Sequence, residues 1–287
     1  MKKIAIIGAG ITGSTLAYYL NKAFDITIFE KSRGVGGRLA TRRTNEYIFN
    51  HGAQYFQAKT PEFKKFLAPA ITNNFINPYK NQFKRINNKG ELINIDFERA
   101  NNYFIGAPNM NWAVKYFIKK TKIKLENTII KLFRLNNSWY LKDLKKRIYG
   151  PYNLVIITTP VAQALELLKF KNTILDKLKK ISMSHRYSMM LGFKGKIEFG
   201  FNIAIIDNPY ISRISVNNTR TKNTSIVIQT THDLKNEPKI LKEKLMEKFI
   251  EKTSNIINYR LTNCDFKSMH FWRYAQVKAP THYKYLL

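Results

Sequence analysis

Cysteine is nearly absent from this 287-residue sequence, which contains only Cys264. A single cysteine excludes an internal disulfide, a paired-cysteine redox motif and a cysteine-based zinc site. The five histidines are His51, His185, His232, His270 and His282. Their spacing is not typical of metal ligands, and we interpret them as surface or core polar groups. We therefore expect no metal site and a reducing, cytoplasmic setting.

Acidic residues are also scarce: 19 Asp and Glu stand against 49 Lys and Arg, a formal net charge of +30. Such an excess is typical of proteins that bind nucleic acid or another polyanion. The basic residues are dispersed along the chain, as in Lys119-Lys120-Thr121-Lys122, and are not gathered into one stripe or tail. We attribute the charge to overall composition and expect no specific nucleic-acid partner.

Long apolar runs are missing as well, so we expect no membrane span. The start of the chain resembles a secretion signal, because Met1-Lys2-Lys3 precedes the uncharged stretch 4–20. Gly8, Gly10 and Gly13 interrupt that stretch, and no small-residue cleavage site follows closely. A nucleotide-binding unit explains the same residues better.

The first 30 residues predict a βαβ unit. Lys3 to Ile7 and Asp25 to Phe29 are short β-branched runs typical of buried parallel strands, and Gly13 to Leu20 between them predicts a helix. This order implies a parallel sheet with a right-handed crossover.

A glycine motif lies where the first strand meets the helix. It consists of Gly8, Ala9, Gly10, Ile11, Thr12 and Gly13. Backbone amides and the helix dipole at such a turn suit a pyrophosphate. Glu30 ends the second strand, where a carboxylate accepts hydrogen bonds from the ribose hydroxyls and disfavours a 2′-phosphate. Together these features predict a dinucleotide site.

A second glycine-rich loop, Ser32-Arg33-Gly34-Val35-Gly36-Gly37-Arg38, follows the acid directly. A plain NAD-binding domain does not need it. The loop resembles the double-glycine-arginine signature of flavin amine oxidases, which implies an FAD cofactor. By that resemblance Lys31, Gly36, Gly37 and Leu39 also line the cofactor, and Arg38 supplies positive charge to the diphosphate.

A further stretch resembles the renalases in particular: Asn50-His51-Gly52-Ala53-Gln54-Tyr55-Phe56. The segment 37–43 before it is similar to them too, as are 106–110, 159–164 and 270–275 further along. The resemblance implies an FAD enzyme that takes a hydride from dihydro isomers of NAD(P) and passes the electrons to O2, releasing hydrogen peroxide.

The same resemblance places Gln54 and Tyr55 against the isoalloxazine and the backbone of Ile130 at the adenine. Flavin chemistry asks little of protein acids and bases, so we assign no catalytic residue. We expect the substrate to be a small molecule, a reduced nicotinamide dinucleotide. Four aromatic residues are candidates for a substrate wall: Tyr55, Phe56, Trp272 and Tyr274.

The sequence departs from the renalase pattern at two places. Asn50 stands where the family usually has Asp, which removes a charge near the flavin loop. After segment 270–275 the renalases continue with a strand, a Gly-Asp pair and a helix, whereas no Gly-Asp follows in this sequence. We expect the loss of that strand and helix to weaken FAD retention.

The predicted fold class is α/β: a Rossmann-type FAD-binding domain around a parallel central sheet, interleaved with a smaller α+β substrate domain of mainly antiparallel strands. We assign 1–60, 103–170 and 269–287 to the FAD-binding domain, and 61–102 and 171–268 to the substrate domain. Further helices are predicted at 61–68, ended by Pro69, and at 110–119, 161–168 and 238–252.

Two other functions are compatible with the sequence. One is a flavin amine oxidase or desaturase that acts on another small reduced substrate. The other is a relative without activity that holds FAD poorly and uses its charge to bind polyanions. A substrate panel with peroxide detection separates the first from a renalase-like oxidase, and retained flavin colour excludes the second.

Overall fold

The computed structural model describes residues 1–79, 82–95, 102–169, 173–217, 222–231 and 242–279. The α-helices within these ranges are α1 (Ile11–Leu20), α2 (Pro61–Thr72), α3 (Trp112–Phe117), α4 (Val161–Leu167), α5 (Thr173–Lys179) and α6 (Lys242–Ile257). None of them is long and apolar enough to cross a bilayer.

The strands of the first half are β1 (Lys3–Ile7), β2 (Asp25–Phe29), β3 (Arg42–Arg43), β4 (Ile48–Phe49), β5 (Phe56–Gln57), β6 (Ile76–Pro78), β7 (Phe83–Ile86), β8 (Leu92–Asn94), β9 (Tyr103–Gly106) and β10 (Lys122–Lys124). Those of the second half are β11 (Ile129–Leu135), β12 (Ser138–Asp143), β13 (Ile148–Tyr152), β14 (Leu154–Ile157), β15 (Met183–Phe193), β16 (Ile203–Ile206), β17 (Ile211–Asn217), β18 (Thr224–Thr230) and β19 (Phe266–Val277).

A four-stranded parallel sheet of order β10-β2-β1-β14 forms the centre of the nucleotide-binding half. Both of its faces are buried. Ile6 and Ile28 pack with Val114 of α3 on one side, and Ile7 and its neighbours pack against the antiparallel β11-β12-β13 sheet on the other. Burial on both faces explains the continuous β-branched runs in the sequence. The predicted α/β class with a parallel central sheet is confirmed.

The remaining large element is a seven-stranded sheet of order β19-β15-β18-β17-β16-β7-β8. Its pairs are antiparallel except for the parallel pair β16 and β7. Helix α6 covers one face, where Phe249 packs against alternate residues such as Leu191 and Ile228. The other face, which carries Met190 and Val227, packs against Tyr47 and Phe49 and continues toward residues 51–55.

Helix α2 begins as predicted, because the Thr60 hydroxyl accepts a hydrogen bond from the Phe63 amide at 3.2 Å. The prediction that Pro69 ends this helix is wrong, since α2 continues to Thr72. Leu67 and Ala70 on either side of the proline are buried in one apolar cluster. That burial outweighs the hydrogen bond that proline removes close to the end of the helix.

Helix α3 is shorter than predicted, at Trp112–Phe117, and its N-cap is Asn111. The Met110 amide, which the sequence places in the first turn, donates instead to the Asn50 side chain at 3.1 Å. Helix α6 ends at Ile257, beyond the predicted 252, and its predicted start at 238–241 lies outside the described residues.

Strand β19 lies in the large sheet, where it pairs with β15. The domain assignment made from the sequence placed 269–287 in the FAD-binding domain instead. Pairing with β15 gives β19 a partner for its backbone groups along most of its length. Residues 280–287 lie outside the described residues, and the domain boundaries stay a prediction.

Gly192 lies in the large sheet, directly against the ring of Tyr47, and this close packing can be tested. A Cβ at Gly192 would lie 2.7 Å from three ring atoms of the buried Tyr47. We expect Gly192→Ala to lower the free energy of unfolding by about 1–3 kcal/mol through overpacking, as measured by urea denaturation. The control is Gly34→Ala, since a Cβ there would meet no atom within 4 Å. Equal losses in the two variants would contradict this packing.

Candidate dinucleotide and flavin site

The turn between β1 and α1 requires glycine at two positions. Gly8 has φ +109°, a conformation that favours glycine, and its amide donates to the Phe29 carbonyl at 2.8 Å. A Cβ at Gly13 would lie 2.1 Å from the Gly8 carbonyl oxygen. Helix and strand can therefore approach each other only because both residues lack a side chain.

The N-terminus of α1 faces open space. Gly10 is the N-cap, and no side chain within the described ranges caps the helix. The first amides of a helix, here those of Ile11, Thr12 and Gly13, have no partner within the helix. A Cβ at Gly10 would meet no heavy atom within 4 Å, and the side chains of Ile11 and Thr12 are exposed. This cradle fits an anionic group such as a diphosphate.

The carboxylate of Glu30 lies buried directly beside this cradle. One oxygen accepts a hydrogen bond from the Ala9 amide at 2.8 Å, and the other accepts one from the Ser32 amide at 2.9 Å. Each oxygen keeps a second lone pair for a further donor. Glu30 thus connects the two glycine loops. Its carboxylate can still accept the hydrogen bonds that ribose hydroxyls would donate.

The second glycine loop packs against the first. The Gly36 amide donates to the Ala9 carbonyl at 2.9 Å, and Gly10 and Gly36 form a parallel bridge. A Cβ at Gly37 would lie 3.2 Å from the Gly10 Cα. Leu39 packs against the cluster of the parallel sheet, whereas Lys31 is exposed. The predicted cofactor loops therefore share one surface.

Arg38 connects the second loop to the segment 51–55. Its carbonyl accepts a hydrogen bond from the Ala53 amide at 2.8 Å, and a Cβ at Gly52 would lie 2.1 Å from the same oxygen. Its exposed guanidinium donates to the Ala275 carbonyl at 3.1 Å. A guanidinium has five donors, so this single bond leaves capacity for the phosphate contact predicted from sequence.

Asn50 acts as a hydrogen-bond acceptor, and an amide oxygen is sufficient for this role. Its Oδ1 accepts hydrogen bonds from the Thr41 hydroxyl at 2.8 Å and from the Met110 amide at 3.1 Å. The departure from the renalase Asp at this position therefore preserves an acceptor and removes only the charge.

Three side chains hold the segment 51–55 onto the large sheet. Trp272 stacks on the His51 ring at 5.2 Å between centroids and donates from Nε1 to the His51 carbonyl at 3.1 Å. Gln229 donates to the Gly52 carbonyl at 2.8 Å. The His270 ring lies 5.0 Å from that of His51. The aromatic wall predicted from sequence is thus divided: Trp272 is at the site, and Phe56 packs elsewhere with Phe104.

Gln54 and Tyr55 lie in contrasting surroundings. Gln54 is 3% exposed, and neither its Oε1 nor its Nε2 has a hydrogen-bond partner among the described residues. A buried amide without partners is costly, which is typical of a group that meets a ligand. The Tyr55 ring packs edge-on against Phe83 at 5.0 Å and lies beneath the Arg213 guanidinium, also at 5.0 Å.

Ile130 lies at a bulge in β11, where the register passes from Ile129 directly to Lys131. The extra residue of a bulge is left out of the ladder, so its backbone groups are available to a ligand. Its side chain is 42% exposed. This geometry fits the adenine contact that the resemblance implies.

The buried His51 generates a prediction about pH. Burial first, and then the charges of His270 and Arg42, lower the pKa of its imidazole to about 4, against the raising effect of a hydrogen bond with the Phe49 backbone. The unfolded chain takes up this proton near pH 6.5, so folding stability is full above that pH and falls as the pH drops toward 4.

Between pH 6.5 and 4, protonation of the unfolded chain at His51 lowers the free energy of unfolding by about 3 kcal/mol. Glutamine does not titrate, so we expect His51→Gln to lose about 3 kcal/mol less than the parent over this pH range. Urea denaturation at a series of pH values measures it. Parallel curves for both proteins would show that His51 does not titrate in this way.

The chain is similar to known proteins in sequence. Residues 6–70 match the family model described as an NAD(P)-binding Rossmann-like domain. The chain is 23% identical to renalase from Mus musculus over 97% of its own length and 86% of the relative. It is also 23% identical to prenylcysteine oxidase 1 from Rattus norvegicus, over 62% of this chain and 36% of that protein.

Among solved structures, the chain is similar to a putative protoporphyrinogen oxidase from Exiguobacterium sp. 255-15. The TM-score is 0.72 at 13% identity, and the match covers 96% of this chain and 87% of the other. These comparisons confirm the fold and the resemblance that the motifs indicate. The chain is thus similar to renalase over nearly its whole length, and it shares its fold with a putative protoporphyrinogen oxidase.

Proposed function

We propose that this protein is an FAD-dependent oxidase of small reduced substrates, and that its substrates are dihydro isomers of NAD(P) with O2 as the electron acceptor. The observation that carries the proposal is the open cradle at Gly10, bounded by two glycine loops and the Glu30 carboxylate. The whole-length similarity to mouse renalase supports the substrate class.

The residues present fit FAD. The amides of Ile11, Thr12 and Gly13 with the α1 dipole suit its diphosphate, and the free lone pairs of Glu30 suit its ribose hydroxyls. The bulge at Ile130 suits the adenine. The Gln54 amide, which has no hydrogen-bond partner in the described part of the chain, suits the polar edge of the isoalloxazine. When bound, FAD supplies the hydride acceptor.

The second glycine loop favours FAD over a nicotinamide dinucleotide as the resident cofactor. A nicotinamide cofactor requires only the first glycine motif and the ribose acid. Here Gly36 and Gly37 extend the same surface beyond Gly10 toward Arg38 and the segment 51–55. The surface is therefore longer than a diphosphate and continues to the large sheet.

The chain's own residues bind and orient without exchanging protons. His51 is neutral at pH 7, because its pKa lies at about 4. Gln54 has no ionisable group, and the carboxylate of Glu30 is engaged by two amides. Positioning of a reduced substrate over the cofactor accounts for catalysis in such a site, since the correct orientation alone provides a large part of the rate.

Gly10→Ala tests the cofactor site separately from the fold. The new methyl group meets no atom of the described residues within 4 Å, so we expect the thermal midpoint without FAD to stay near that of the parent. The same methyl group occupies the approach of the diphosphate, so we expect FAD affinity to fall about tenfold or more, as measured by fluorescence titration.

Gly34→Ala is the control for the fold, because Gly34 is also open to solvent and an added Cβ there meets no described atom within 4 Å. It should retain the stability of the parent. A parent protein that neither acquires flavin absorbance nor gains thermal stability with FAD would overturn the proposed cofactor.

The substrate is tested on FAD-loaded protein with dihydro isomers of NAD and NADP, ordinary NADH and a panel of primary amines. We expect flavin bleaching under nitrogen and stoichiometric peroxide in air with the isomers only. Turnover of an amine without turnover of the isomers would assign the protein to the amine oxidases instead.

A further inference from the structure

The face of the large sheet that meets segment 51–55 carries two arginines that the cofactor site does not use. Arg213 on β17 is the cross-strand neighbour of Gln229, and Arg186 on β15 is the cross-strand neighbour of Trp272. Gln229 and Trp272 are the side chains that bond to the Gly52 and His51 carbonyls. Both guanidinium groups therefore project beside the segment that connects to the glycine loops.

The register shows that the two arginines share this face. Arg213 pairs with Gln229, Gln229 pairs with Ser188, and Arg186 lies two residues from Ser188 along β15. Side chains two residues apart on one strand point to the same side, as do directly paired residues. Only one strand, β18, separates β15 from β17, so the two positive charges lie close together.

The environment of Arg213 is unusual for a cation. Its side chain is half-buried, its guanidinium lies over the Tyr55 ring, and its Nε is buried without a hydrogen-bond partner in the described part of the chain. None of the ion pairs found among the described residues includes it. A desolvated guanidinium with unused donors is a binding group for a planar or tetrahedral anion.

Arg186 adds a second, half-buried positive charge on the same face. Burial first, and then the neighbouring charge of Arg213, lower the pKa of its guanidinium to about 10. Arg186 thus stays protonated at neutral pH although its surroundings oppose the charge. Two half-buried like charges side by side cost folding stability, and such an arrangement is typical of a site that binds an opposite charge.

We infer that Arg186 and Arg213 form an anion subsite that binds the diphosphate of a dinucleotide substrate. This inference rests on the proposed function and specifies which part of the substrate the large sheet recognises. Tyr55 connects this subsite to Gln54, because it follows Gln54 directly and its ring lies beneath the Arg213 guanidinium. The substrate's diphosphate would be held on the sheet while its reduced ring extends toward Gln54.

Inorganic pyrophosphate tests the subsite directly, by calorimetric titration into protein saturated with FAD so that the cofactor cradle is occupied. We expect the dissociation constant to rise about tenfold in Arg213→Gln and in Arg186→Gln, because each removes charge-assisted hydrogen bonds to the anion. The flavin content of both variants should equal that of the parent.

Arg134→Gln is the matched control. Arg134 also lies over an aromatic ring, that of Trp139 at 5.5 Å, but on β11, in a different sheet. Its loss removes the same charge and the same kind of ring contact. We expect pyrophosphate affinity to stay within about twofold of the parent, since a single distant charge is screened by salt. Equal weakening in all three variants would show diffuse attraction by a +30 protein and overturn the subsite.

Thermal unfolding separates a role in binding from a role in folding. Pyrophosphate should raise the unfolding midpoint of the FAD-saturated parent, and it should raise that of Arg186→Gln or Arg213→Gln much less. A lower midpoint in both, with pyrophosphate affinity unchanged, would assign the pair to folding and overturn the inference.

Kinetics separate the substrate's diphosphate from a free phosphate ion. The arginine variants should lose about tenfold in kcat/KM with a dihydronicotinamide dinucleotide and nothing with the dihydronicotinamide riboside, which lacks phosphate. Equal losses on both substrates would overturn the subsite. If the parent binds no FAD but its pyrophosphate binding depends on the two arginines, the proposed function alone is overturned. If the parent oxidises the isomers but its pyrophosphate binding does not depend on the arginines, the subsite alone is overturned.

Discussion

The buried carboxylate of Glu30 is bonded to two backbone amides that belong to different loops, Ala9 in the first glycine turn and Ser32 in the second. A buried charge must be paired or hydrogen-bonded, and each bond to it contributes about 1.5–3 kcal/mol. The Ala9 carbonyl in turn accepts the Gly36 amide. The two loops are thus held against one another before any ligand binds, and the open space at Gly10 is a consequence of that arrangement.

The segment 51–55 extends this arrangement to the large sheet. Ala53 is bonded to Arg38 of the second loop, whereas His51 and Gly52 are bonded to Trp272 and Gln229 of the sheet. The close approach of Gly52 to the Arg38 carbonyl leaves no room for a side chain. A short stretch without helix or strand therefore aligns the nucleotide-binding half with the face that carries the two arginines.

Much of the nucleotide-binding half was predictable because its constraints are local. Gly8 and Gly13 are required by a turn and a close packing that depend on residues a few positions apart, and the two buried strands follow from continuous β-branched runs. The errors arose where distant contacts prevail over local preference. Pro69 remains inside α2 because Leu67 and Ala70 are buried, and α3 starts late because Asn50 engages the Met110 amide.

The sequence by itself determined the Rossmann-type turn, the acid at the end of the second strand, the second glycine loop and the resemblance to renalases, since each lies in a contiguous stretch of residues. Only the tertiary structure decided that Gln54 has no hydrogen-bond partner among the described residues, that His51 is neutral, and that Arg186 and Arg213 lie on one face of the large sheet. Those facts depend on strand register and on burial. Both arise from contacts between residues far apart in the chain, and a shift of one residue in register would turn either arginine to the opposite face of the sheet.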